Sequence, residues 1–117
     1  MNPLFQTVPS VILKGVDGYV FIADSRVECL AENSEYLRKC RKLLIDEGFN
    51  IAELPRVIQY NKRDTAGALP IEILRQELNS SGAPEFEAVA TKGKGVIETL
   101  EGLAQLMTAS IENQNVN

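Results

Sequence analysis

Three short runs rich in β-branched and aromatic residues alternate along the chain with three stretches of helical period. Tyr19-Val20-Phe21-Ile22-Ala23 is apolar at every position and follows Gly18. It predicts a strand over about 18–23 that is covered on both faces, as in a parallel sheet. Val57-Ile58-Gln59-Tyr60, opened by Pro55 or Arg56, predicts a second strand over about 56–60. Phe86-Glu87-Ala88-Val89 predicts a short third strand over 86–89, and the mid-run Glu87 suits an edge position.

The helical stretches lie between and after these runs. Ser25-Arg26-Val27-Glu28 fits a capping box and predicts a helix over about 26–47, stopped by Gly48. Its apolar positions are Leu30, Tyr36, Leu37, Cys40, Leu43 and Leu44. Pro70 suits a first helical position, and Ile71, Leu74 and Leu78 give one apolar face to about residue 79. Val96/Ile97, Leu100, Leu103/Ala104, Met107 and Ile111 form the clearest helical stripe, over about 96–111. Glu112–Asn117 reads as a polar, frayed tail, and Val11–Gly15 as the last turn of a helix. The order β-α-β-α-β-α predicts an α/β fold: a parallel sheet, helices on both faces and right-handed crossovers.

Composition narrows the chemistry. At 117 residues and 44% hydrophobic, the chain has room for one domain with a small core. A formal net charge of −4 argues against a nucleic-acid or anionic-membrane surface. There is no histidine, which removes Ser-His-Asp and Cys-His nucleophiles and histidine zinc sites. Cys29 and Cys40 are not in a Cys-x-x-Cys motif and read as reduced thiols on a helix. No apolar run approaches the roughly 20 residues of a membrane span, and the first ten residues do not resemble a secretory signal. The expected location is the cytoplasm. The run Arg38-Lys39-Cys40-Arg41-Lys42 reads as a solvated helix face with Glu35 and Asp46 as neighbours.

The candidate chemistry follows the second strand directly, in Asn61-Lys62-Arg63-Asp64. Open α/β sheets bind ligands at the carboxyl ends of their strands. Asn-Lys-x-Asp there resembles the guanine-specificity loop of small GTPases. Guanine presents a ring N–H beside an exocyclic NH2, and one carboxylate accepts from both. Asp64 is the candidate acceptor. Asn61 donates and accepts, and so can tie neighbouring loops together. Lys62 can lay its methylene stem over a base while its ammonium reaches water or a carbonyl. Arg63 alternates away and is expected to be solvated. The N–H of Ala90, at the end of the third strand, can donate to the guanine carbonyl. Gly93 and Gly95 fit no phosphate-binding spacing and read as a tight turn. The bland alternative for Asn61–Asp64 is a polar turn.

A wider resemblance runs in order through four segments. These are Ile12–Ser25, Val57–Asp64, Ala68–Glu72 and Glu87–Leu100. They resemble bacterial gliding-motility small GTPases of the MglA type, which are Ras-like. The resemblance implies GTP/GDP binding, slow hydrolysis with Mg in the intact family protein, and a switch for cell polarity and motility. It implies a roadblock/LC7-domain activating partner of the MglB type. It assigns guanine binding to Asn61, Lys62 and Asp64, and to Ala90, Thr91 and Lys92 in a second base loop.

The chain departs from that family by lacking a Gly-x-x-x-x-Gly-Lys-Ser/Thr phosphate loop. Thr7-Val8-Pro9-Ser10 echoes a Thr-Val-Pro-Gly of the family, or else aligns within the following helix. Residues 1–117 are thus expected to be the carboxyl-terminal half of a Ras-like P-loop G domain, without the phosphate-binding half. Such a half chooses the base but does not hydrolyse GTP. Two other readings remain. One is a non-catalytic α/β interaction module that binds a roadblock-type partner. The other, a receiver-like domain with Asp24 as phosphoacceptor, needs further acidic residues beside it and a lysine at the next-but-one strand end; Asp17 is on the wrong side of the strand and Lys92 is poorly placed, so the sequence argues against it.

Overall fold

The computed structural model describes residues 17–116. The expected helix end at Val11–Gly15 and the Thr7–Ser10 echo lie outside the described residues. Among the described residues three parallel strands form the sheet: β1 (Tyr19–Asp24), β2 (Arg56–Asn61) and β3 (Glu85–Glu87), in the order β1-β2-β3. The helices are α1 (Leu30–Asp46), α2 (Ile71–Leu78) and α3 (Val96–Val116). The α/β expectation therefore holds: this is a three-strand parallel sheet with helices on both faces, as in half of a Ras-like domain.

β2 is the central strand, and Val57, Ile58, Gln59 and Tyr60 are all buried. Its register sets the layers. Phe21 stands opposite Ile58 and Ala23 opposite Tyr60, and these pack with Leu74 and Leu78 of α2 and with Leu30, Tyr36 and Leu37. The other face carries Ile22, Gln59 and Phe86, and α3 lies across it. Gln59 is buried there, where an unpaired amide is costly, and its Nε2 donates to Thr99 Oγ1 at 2.9 Å. Thr99 Oγ1 in turn donates to the Gly95 carbonyl at 2.6 Å.

That polar contact rotates α3 away from the stripe expected of it. Thr99 sits on the sheet at 1% exposure, while Ile97 and Leu100 are 60% and 55% exposed. Gly102 of α3 abuts Phe86 of β3, and Leu103 and Met107 pack beside Gly18 at the start of β1. The exposed flank of α3, with Ile97, Leu100 and Ile111, therefore lies on the β1 side, and Ile22 of β1 is exposed on the same face. The helix also continues through the expected tail to Val116.

Other boundaries shift for local reasons. The capping box does not form: Ser25 extends β1 by one step. Its N–H donates to the Asn61 carbonyl at 3.0 Å, and its carbonyl accepts from Leu69 N–H at 2.8 Å. Its side chain is buried with no hydrogen-bond partner, so a 3-10 turn at Val27–Cys29 leads into α1 instead. β3 stops at Glu87 rather than Val89. Ala88 N–H still donates to the Tyr60 carbonyl at 2.8 Å, but Val89 folds back to bridge Lys94. Both cysteines are half-buried, Cys29 in the 3-10 turn and Cys40 in α1, and Arg38 and Lys42 pair with Glu35 and Asp46 on the exposed face of α1.

This layering sorts the apolar residues by cost. Leu74→Ala empties a fully buried site and is expected to lower stability by about 2–5 kcal/mol. Ile22→Thr and Leu100→Gln are expected to change it by no more than about 0.5 kcal/mol, because both side chains already meet water. Urea unfolding followed by circular dichroism measures all three. A loss at Leu100 equal to that at Leu74 would contradict the placement of α3.

Candidate functional site

The carboxyl ends of the strands bring Asp24, Asn61–Asp64 and Ala90–Lys92 to one edge of the sheet. Asn61 ties the second and third of these together: its Oδ1 accepts from Ala90 N–H at 2.9 Å. The N–H expected to be free for a ligand carbonyl is thus already bonded inside the protein. A second tie runs from Arg63 N–H to the Ala88 carbonyl at 3.2 Å.

Lys62 adopts a left-handed backbone, with φ 63°. This is the corner at which the chain leaves β2, closed by Thr65 N–H donating to the Lys62 carbonyl at 3.1 Å. The Lys62 ammonium lies 3.0 Å from Asp24 Oδ2, so its partner is a carboxylate rather than a backbone carbonyl. Asp64 Oδ2 lies 3.5 Å from Lys92 Nζ, and both side chains are about half exposed. An exposed pair of this kind is weak and can be exchanged for a better-fitting donor set. Thr91 is exposed in the 3-10 turn Ala90–Lys92.

One further expectation is corrected here. Arg63 is not solvated: its Nη1 donates to the Leu69 carbonyl at 2.6 Å and its Nε to Glu87 Oε1 at 3.1 Å. It fastens the loop to β3 and to the segment before α2. Asp24 is surrounded by cations, Arg26 and Lys62, rather than by the acidic neighbours a receiver-like site needs. The Arg26 guanidinium holds its carboxyl well below the usual carboxylate range; burial opposes this, and the Arg26 N–H and Lys62 add to it. Asn33 was missed altogether. Buried in α1, it donates from Nδ2 to the Asp24 carbonyl at 2.8 Å and accepts Asp24 N–H at 3.2 Å. A polar residue in the core-facing stripe of α1 was the available signal.

The Gly93–Gly95 turn shapes the third loop. Gly93 and Gly95 have φ of 73° and 80°. A Cβ on Gly95 would collide with the Glu87 carbonyl, so that approach requires glycine. Among the described residues no group of three or more His, Cys, Asp or Glu side chains is placed to hold a metal ion. An open cleft of about 850 Å³ lies at the opposite ends of the strands, lined by Phe49, Leu54, Arg56, Pro84 and Leu106 among others. None of the site residues above lines it.

No protein-family model matches the chain. Over 102 residues, 87% of its length, it is 44% identical to the Mutual gliding-motility protein MglA of Myxococcus xanthus (strain DK1622). The chain is a relative of MglA. The match covers 52% of that protein, so the chain spans about half the length of the curated relative it matches. The resemblance to MglA drawn from the segments between Ile12 and Leu100 is thereby shown.

Two outcomes test this geometry. Gly95→Ala is expected to destabilise the fold by roughly 2–4 kcal/mol, combining a backbone collision with an unfavourable φ. Thermal melting measures it, and an unchanged midpoint would contradict the close approach. The depressed Asp24 carboxyl makes a pH prediction. A carboxyl lowered in the folded state binds fewer protons there than in the unfolded chain. Its stabilisation is therefore complete above its ordinary value of 3.8 and is lost as pH falls below it. Urea midpoints should drop below about pH 4 in the wild type and drop less steeply in Asp24→Asn. Parallel acid limbs would exclude Asp24 as the source.

Proposed function

We propose that the chain is the base-binding half of a guanine-nucleotide switch protein of the gliding-motility type. The observation that carries this is the Asn61–Ala90 hydrogen bond. It holds two loops against each other beside the Asp64 carboxylate, in a chain 44% identical to MglA. Asp64 accepts from the ring N–H and the exocyclic NH2 of guanine, releasing Lys92. A bidentate, charge-assisted pair outcompetes the exposed ion pair it replaces. Adenine lacks that pair of donors and leaves the carboxylate unmatched. Asn61 sets the spacing of the two loops, Lys62 borders the base, and Ala90, Thr91 and Lys92 form the second loop.

The nucleotide's phosphates and Mg find no matching residues here. The sequence has no phosphate loop, and so no nest of backbone N–H groups, phosphate-binding lysine or metal-ligating hydroxyl in that arrangement. Residues 1–117 alone bind the base weakly and do not hydrolyse GTP. The two half-buried free thiols suit the cytoplasm, and a roadblock/LC7-domain protein of the MglB type is the partner that the resemblance implies.

One observation favours a second reading, the nucleotide-free interaction module. The polar groups of the site already have partners: Asn61 with Ala90, Asp64 with Lys92, and Lys62 with Asp24.

Titration of fluorescent GDP and ADP separates the two readings. Guanine preference is expected, and Asp64→Ala should weaken GDP binding by about ten- to a hundredfold while leaving ADP unchanged. Equal binding of both, or of neither, would remove the base-recognition role and leave the interaction module.

A further inference from the structure

Asp24 lies outside the loops assigned to the base, yet the sheet register brings it to them. It stands opposite Asn61, so Lys62 is the residue that turns across the end of β1. Its backbone is fixed on both sides by Asn33. Its carboxylate receives Arg26 Nε at 3.0 Å and Nη2 at 2.8 Å, with the Arg26 N–H at 3.0 Å. Arg26 is itself pinned, because it bridges Ala68, while the flanking Val27 N–H and Leu69 N–H bond to Gly67 and Ser25. The carboxylate therefore has one defined place, with Oδ2 3.0 Å from Lys62 Nζ.

The partner at that place is under strain. Lys62 is the non-glycine residue at positive φ among the described residues, and a left-handed backbone disfavours a residue with a Cβ. Nothing in its side chain compensates locally, as the short amide of an asparagine would. The ion pair reaches it from a different strand. It draws the ammonium toward β1 and leaves the methylene stem as a fixed apolar surface.

We propose that Asp24 is a positioning residue for the base site: held by Arg26 and Asn33, it fixes Lys62 in its left-handed conformation at the mouth of that site. This rests on the guanine reading above for its functional meaning. Asp24 touches no ligand; it acts through Lys62. Because a lysine stem contacts a base face and not its donor edge, losing Asp24 weakens binding without altering the choice of base. Losing Asp64 weakens guanine binding and removes the choice of base.

The full chain tests this with Asp24→Asn, Lys62→Gln and the double variant. NMR of the ligand-free protein is the first readout. In Asp24→Asn the Lys62 amide, its HN–Hα coupling and its ammonium signal are expected to shift toward those of a mobile side chain. Fluorescent GDP titration is the second. Asp24→Asn is expected to weaken GDP about two- to fivefold at an unchanged GDP:ADP ratio, and to add nothing in the Lys62→Gln background. Unchanged Lys62 signals in Asp24→Asn, or the same loss with and without Lys62, would overturn the proposal. If Asp24→Asn does not fold, Lys62→Gln alone decides: the proposal requires the Asp24 carboxyl signal to move. If the wild type shows no guanine preference, it is the base-recognition reading that fails, and the NMR comparison still settles whether Asp24 positions Lys62.

Discussion

Burial of β2 on both faces is the constraint from which the site follows. Val57, Ile58, Gln59 and Tyr60 are enclosed by helices above and below, so the strand has neither register nor orientation to spare. A slip of one residue would turn Ile58 and Tyr60 out of the cluster that α1 and α2 cover and put Gln59 in their place. Gln59 is tolerated on the α3 face because Thr99 meets it. This buried pair therefore fixes β2 and rotates α3 together. The end of β2 emerges at one position, with Asn61 beside Asp24 and within reach of Ala90.

The sequence displayed the parts of this architecture that depend on composition over several residues. Continuous apolar runs at Tyr19–Ala23 and Val57–Tyr60 marked strands covered on both faces, and Pro70 and the Ile71-Leu74-Leu78 spacing marked α2. It hid the parts that depend on one residue's choice between local and distant partners. Ser25 had a capping partner three residues away but bonds instead to Asn61 and Leu69, which lie far along the chain. Arg63 looked outward by alternation, yet the loop turns at Lys62, and alternation does not survive a left-handed residue. The grouping of Asn61, Lys62, Asp64 and Ala90–Lys92 at one sheet edge was legible because parallel strands all end on the same side. The role of Asp24 was not, because it depends on the register between strands, and Asn33 gave only the weak signal of a polar residue in an apolar stripe.

The apolar arc of α3 is wider than the sheet beneath it. Leu103 and Met107 reach Gly18, Gly102 reaches Phe86, and the helix still carries Ile97, Leu100 and Ile111 beyond the sheet on the β1 side. A helix of this length on a three-strand sheet covers the strands with one narrow stripe, and the remaining apolar width faces water. Ile22 adds to that exposed surface from below. Such a surface lowers solubility and stabilises nothing in the isolated chain. Stability in these residues comes mainly from the opposite side, where α1 and α2 close over Phe21, Ala23, Ile58 and Tyr60.

That opposite side also carries a part-buried polar set that ties α2 to β3. Burial pushes the Glu85 carboxyl up, but donors from Arg75, Asn79 and Tyr60 together outweigh it and leave it below its ordinary value. Tyr60 is raised by burial and by the same carboxylate, so it remains a donor at any ordinary pH. The strand end is thus braced from both sides by charged groups: Glu85 under Tyr60, and Asp24 against Lys62. Between these braces Asn61 and Arg63 are half-buried and bonded to neighbouring segments, while Lys62 and Asp64 are exposed. The loop is therefore held by groups on neighbouring strands and segments and not by contacts among its own side chains.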